Sequence, residues 1–206
     1  MQIRHLGLTD YTTSWEAMRA FTAARPIASH TKTDDEIWFT EHPPVFTLGQ
    51  AGRTEHILDA GDIPLLRTDR GGQVTYHGHG QLLAYVLVNL KARGFGVREL
   101  VHRLEQAIID TLAEYTLQAE RKSGAPGVYL NGAKIASLGL RIRQGYSYHG
   151  LALNVDMDLT PFSRINPCGF TQLPITQLRD HHSNATMADA TSRLARQLIH
   201  QLDSTH

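Results

Sequence analysis

The chain has 206 residues, with 20 Lys plus Arg balanced by 20 Asp plus Glu, so it can bury one sizeable core and has no global field to draw nucleic acid or a membrane surface. Its single cysteine excludes an internal disulfide and suits a reducing compartment. No apolar run approaches the roughly 20 residues that span a bilayer, and the opening MQIRHLGLTD lacks the apolar stretch of a signal peptide; a soluble, cytoplasmic protein is expected.

Residues 1–8 alternate as a strand, and Thr9 or Asp10 is placed to cap a helix running to about Pro26. Strands are predicted over 36–42 and 45–48, broken by Pro43-Pro44, because proline cannot donate a ladder hydrogen bond. Further strands follow at 63–67, 74–77 and 82–90, separated by glycine-rich turns. The clearest helix is 97–115, where Leu100, Leu104, Ile108 and Leu112 form one apolar stripe at helical spacing. Asn131-Gly132 between 127–130 and 133–143 is a strong hairpin signal, since both turn positions need positive φ. A strand over 148–156 and a closing helix over 186–202, with Met187, Leu194 and Leu198 facing inward, complete the chain. Hairpins outnumber strand–helix–strand crossovers, which predicts an α+β domain with a mixed or mainly antiparallel sheet covered by helices.

The twelve histidines are scattered, with His77-Gly-His79 and His181-His182 the only close pairs, so no structural metal is expected. Three other segments carry chemistry. Asp69-Arg-Gly-Gly-Gln-Val-Thr-Tyr-His-Gly-His-Gly-Gln81 combines four glycines, which let backbone approach a ligand closely, with polar side chains. It is neither a P-loop nor a dinucleotide fingerprint. In 132–140, simple alternation puts Lys134 on one face with Ala136, Leu138 and Leu140; such a lysine is either a snorkelling surface residue or a desolvated functional amine. Cys168 lies between Pro167 and Gly169, a loop setting that suits a nucleophile better than a core thiol, and a nearby cation would lower its pKa from about 8.5.

The segments RGGQVTYHG, KIASLGLRI, HGLALN and PCG occur in an order that resembles the lipoyl(octanoyl) transferases of the biotin/lipoate protein ligase superfamily. The likeness runs from EHPPVFTLG at 41–49 to Cys168; the family has Pro where this chain has His79, a departure that bears on the rigidity of the loop and not on the thiol chemistry. The resemblance implies a fold with one larger mixed sheet and one smaller sheet flanked by helices, and residues 1–206 as a single catalytic domain. It implies transfer of an octanoyl group from octanoyl acyl carrier protein, through a thioester on Cys168, to the lysine of lipoyl domains. The acceptors would be 2-oxoacid dehydrogenases and the glycine cleavage H protein. Lys134 matches the lysine that lowers the cysteine pKa. Positions matching the family's substrate lining are Arg70, Gly71, Gly72, Gln73, Val74, Thr75, Tyr76 and His77, then Ser137, Leu138 and Gly139, then Gly150, Leu151 and Ala152. No cofactor, ATP or metal is expected. The rivals are a lipoyl amidotransferase, an ATP-dependent lipoate ligase, which needs no nucleophilic cysteine, and a biotin-repressor-like regulator, which needs a DNA-binding extension.

Overall fold

A computed structural model describes residues 1–26, 32, 34–167 and 173–204. Seven strands form the larger sheet in the order β1 (Gln2–Leu8), β2 (Glu36–Glu41), β6 (Gln81–Leu87), β10 (Tyr146–Asn154), β9 (Ala133–Arg143), β8 (Val128–Leu130) and β7 (Ala119–Arg121). The smaller sheet is β4 (Leu65–Arg67), β3 (Val45–Leu48) and β5 (Val74–His77). The β1–β2 pair is parallel and the remaining ladders of the larger sheet are antiparallel, so that sheet is mixed, as expected.

The parallel pair follows from α1 (Tyr11–Ala24), which returns the chain over the sheet. Asp10 caps that helix by accepting from the Thr13 N–H at 3.0 Å. Met18, Trp15 and Phe21 of α1 pack on Trp38, Leu83, Tyr85, Leu87 and Tyr148. The opposite face is covered by α3 (Val97–Ala113) and α5 (Met187–Asp203). There the predicted stripe Leu100, Leu104, Ile108 and Leu112 is fully buried with Leu194 and Leu198. All seven residues of β6 are buried because both of its faces are covered.

Pro43-Pro44 marks the point where the chain leaves the larger sheet and enters the smaller one. Two hairpins turn through paired left-handed residues: Asn131 and Gly132 (φ 49° and 84°), and Gln144 and Gly145 (φ 53° and 85°). The first was legible as Asn-Gly; the second carries a weaker signal, and β10 consequently starts two residues earlier than predicted. Strand β7 and the single-turn helices α2 (Leu90–Arg93) and α4 (Leu178–His181) were not predicted, being too short for a periodic signal. Among the described residues, no helix is long and apolar enough to cross a membrane.

Candidate active site

Lys134 stands at the start of β9, where pairing with β8 is irregular. Lys134 pairs with Tyr129 and Ala136 with Val128, which leaves Ile135 as an extra residue in a β-bulge. Residues opposite one another share a face. Ala136 therefore goes with Val128 into the core beneath α3 and α5, whereas Lys134 goes with Tyr129. Simple alternation had put Lys134 with Ala136, Leu138 and Leu140; the bulge moves it instead to the face of Ser137 and Gly139. Lys134 is only 1% exposed, which removes the snorkelling alternative. Its ammonium lies 5.5 Å from the Tyr129 ring centre, and its stem passes over Gly127, where a Cβ would stand 2.3 Å from Cε. The Lys134 N–H donates to the Pro174 carbonyl at 2.7 Å, and its carbonyl accepts from the Thr176 N–H at 3.0 Å. The chain downstream of the Pro-Cys-Gly segment is thus tied to the lysine's own backbone. Cys168 and Gly169 lie outside the described residues; upstream, the Asn166 N–H donates to the His56 carbonyl at 2.8 Å.

The glycine-rich loop after β4 folds onto β9. Gly71 donates its N–H to the Leu140 carbonyl at 2.8 Å, and a Cβ on Gly139 would stand 3.0 Å from the Gly71 carbonyl. Arg70, 7% exposed, braces the loop from inside: Nη2 donates to the carbonyls of Thr47 (2.6 Å) and Gln73 (2.8 Å), and Nε to Thr47 Oγ1 (3.1 Å). Between this loop, β5 and the β9–β10 face runs a narrow slot of about 50 Å³, room for a file of a few waters.

One end of the slot is polar. Asp69 accepts from Trp15 Nε1 at 2.7 Å, from His149 Nε2 at 2.8 Å and from the Tyr148 hydroxyl. His149 has φ 59°, which breaks strand alternation, and its ring stacks on that of its neighbour Tyr148 at 5.1 Å. Burial pushes the Asp69 carboxyl up, but these three hydrogen bonds, joined in acid by the charge of a protonated His149, hold it well below the carboxylate range. Burial lowers the pKa of His149, partly opposed by Asp69. His77 falls to about 3, through burial and then the neighbouring His42 and Arg70. His42 is also lowered by burial; its Nδ1 bonds the Thr9 carbonyl at 2.6 Å and its Nε2 the Tyr85 hydroxyl at 2.5 Å. The imidazoles here are neutral at pH 7.

Of the positions singled out in the sequence, Arg70, Gly72, Gln73, Val74, Thr75 and His77 line the slot, as do Ser137, Leu138, Gly139, Gly150, Leu151 and Ala152. Gly71 is not among the residues that line the slot; its N–H is committed to the Leu140 carbonyl. Tyr76 faces the other way, into the small-sheet core with Phe46 and Phe162. Tyr11, Leu83, Tyr85 and His149 also line the slot but were missed. His149 was within reach as the first residue of HGLALN; Tyr11 and Tyr85 read as ordinary amphipathic positions. Among the described residues, no three His, Cys, Asp or Glu side chains converge as metal ligands.

A sequence profile described as the lipoyl protein ligase A/B catalytic domain matches residues 10–199. The chain is 58% identical over 200 residues to an octanoyltransferase of Pseudomonas fluorescens SBW25, covering 97% of this chain and 91% of that one. It is 56% identical over 203 residues to an octanoyltransferase of Chromobacterium violaceum, covering 98% and 96%. In fold it resembles a putative lipoate protein ligase of T. acidophilum with bound lipoic acid (TM-score 0.79, 18% identity, 98% and 85% of the chains). It likewise resembles a lipoate-protein ligase A bound with ATP (TM-score 0.78, 17% identity, 98% and 86%). With a domain match over nearly its whole length and relatives this similar across both chains, the protein belongs to the octanoyltransferase family, on the catalytic fold of the lipoyl protein ligases.

Proposed function

We propose that this octanoyltransferase works by two acyl transfers through Cys168, thioester to thioester and then thioester to amide, with Lys134 as its proton partner and residues 1–206 acting as one catalytic domain in the cytoplasm. The donor is octanoyl acyl carrier protein. The Cys168 thiolate attacks the thioester carbonyl, the tetrahedral intermediate collapses, and the carrier's thiol leaves as thiolate and takes up a proton. In the second half, the neutral amine of a lipoyl-domain lysine attacks the Cys168 thioester. That nitrogen loses a proton, the C–S bond breaks, and Cys168 returns as thiolate. The acceptors are the lipoyl domains of 2-oxoacid dehydrogenases and the glycine cleavage H protein.

The observation that carries this reading is the placement of Lys134. It is buried, turned by the bulge to the slot face, and tied through its backbone to Pro174 and Thr176, six and eight positions beyond Cys168. A buried cation favours a nearby thiolate, and as a neutral amine it can accept the proton that the acceptor nitrogen sheds. The slot supplies apolar and glycine walls for the octanoyl chain, with Ser137 and Ala152 at the end nearer Lys134. A thioester donor arrives activated, so self-acylation requires neither ATP nor a metal.

Intact-mass measurement after incubation with octanoyl acyl carrier protein tests this. The parent chain should gain one octanoyl group without ATP and in the presence of EDTA. Cys168→Ser should gain none, because a serine hydroxyl lacks thiolate character at neutral pH. Octanoyl retained on the serine variant would move the nucleophile elsewhere, and acylation that starts only with ATP would point to ligase chemistry.

A further inference from the structure

His149 lines the slot at the end remote from Lys134, and its state there is unusual. Leu140, the partner of His149 on β9, lies six residues beyond Lys134, about 20 Å along the strand. His149 Nε2 donates to Asp69 Oδ1 at 2.8 Å, which makes Nδ1 the acceptor of a neutral ring. That Nδ1 is buried and has no hydrogen-bond partner among the described residues. The side chain is 1% exposed and lines the slot. Its position is fixed from behind, because Asp69 is held in turn by Trp15 and Tyr148, and the left-handed φ of 59° sets the ring's direction.

We propose that His149, positioned by Asp69, is the length gauge of the acyl slot. This rests on the slot being the acyl site. Each methylene added against the apolar walls strengthens binding about fourfold. A methyl pushed onto Nδ1 displaces the water that would satisfy it and leaves a buried acceptor unpaired, which costs roughly 5- to 150-fold. The second effect exceeds the first. Binding therefore rises with chain length until the terminal methyl meets the imidazole, and then falls. A chain ending in a hydroxyl escapes the penalty, since its O–H can donate to Nδ1. The gauge thus selects alkyl chains of limited length but admits a longer chain when its last atom is a hydrogen-bond donor.

The test uses acyl carrier protein thioesters from hexanoyl to dodecanoyl, together with ω-hydroxy analogues isosteric with the next longer alkyl chain. Transfer to a lipoyl domain is measured for the parent protein, His149→Gly and His149→Asn. Both replacements tolerate the left-handed backbone, and if the glycine variant fails to fold, the asparagine variant and the parent's own substrate series decide. In the parent, rate should drop at least fivefold past a limiting length, and the ω-hydroxy analogue of the first rejected chain should be restored. In the variants the limit should move to longer chains and the hydroxyl preference should vanish. An unchanged length profile in the variants, a uniform loss at all lengths, or a parent indifferent to the hydroxyl overturns the gauge. Ser137→Leu, which narrows the slot near its other end, separates the two readings. If it slows octanoyl transfer while the His149 variants keep the parent profile, the acyl slot stands and the gauge alone falls. If it leaves octanoyl transfer unchanged, the slot reading falls and the gauge with it.

Discussion

The lysine ammonium depends on the absence of a side chain at Gly127. That glycine has φ 135°, and a Cβ there would meet Lys134 Cε at 2.3 Å and the Ala136 carbonyl at 2.7 Å. Gly127→Ala should therefore displace the ammonium and strain the backbone by about 1–3 kcal/mol. The expected outcome is a transfer rate lowered at least tenfold in a protein that still unfolds cooperatively, read by steady-state kinetics beside thermal unfolding. Lys134→Arg keeps the charge but cannot give up its proton at working pH. Acylation of Cys168 should then survive better than deacylation, so that acyl-enzyme accumulates in quenched-flow mass spectra. Equal loss in both half-reactions would assign the lysine a geometric rather than a proton-transfer role.

At the scale of elements, one buried carboxylate joins four of them. Asp35, at the entry to β2, pairs with Arg25 after α1 at 2.5 Å and with Arg93 of α2 at 2.6 Å. It also accepts the Asn89 N–H at 2.7 Å. Arg93 in turn donates to the Leu202 carbonyl near the end of α5 at 2.6 Å. Asp35 and Arg93 side chains are almost completely shielded from water. Removing one partner leaves buried charges uncompensated, which costs more than the pair itself contributes. Asp35→Ala should lower the unfolding free energy by about 3–5 kcal/mol, measured in urea. The acyl-chain selectivity of the surviving folded protein should be unchanged, because no residue of the cluster lines the slot. The β9 bulge shows the same scale acting on function: one extra residue changes which face a catalytic candidate occupies.

For the whole molecule, the neutral histidines in and around the slot make stability sensitive to acid. His42, His77 and His149 all have pKa values lowered from 6.5, His77 to about 3. Below pH 6.5 the unfolded chain takes up protons at these sites while the folded chain does not, so stability falls as pH falls. His77 alone contributes a slope of about 1.4 kcal/mol per pH unit from 6.5 down towards 3. Unfolding free energies between pH 7 and 4 should fall steeply in the parent and less steeply in His77→Gln. Asp69 acts in a lower window. Its folded pKa is depressed, so its stabilising contribution is present above the unfolded value of 3.8 and is lost as pH falls below it.

Local periodicity, capping residues and Asn-Gly chemistry determined the long elements: α1 after Asp10, the stripe of α3, the β8–β9 hairpin and α5. These signals depend on neighbours a few residues apart, which is why they survive in one sequence. The motif order in the chain likewise identified the family and pointed to twelve positions that do line the slot. Tertiary structure decided the rest. The bulge at Ile135 exists because β8 and β9 pair in a register that no alternation pattern records, and it reverses the face of Lys134. Tyr76 was drawn away from the slot by the small-sheet core. The polar end unites Tyr11 from α1, Asp69 from a loop, Tyr85 from β6 and His149 from β10. Their distances along the chain carry no trace of that meeting, because it is set by strand order and by helix packing across the sheet.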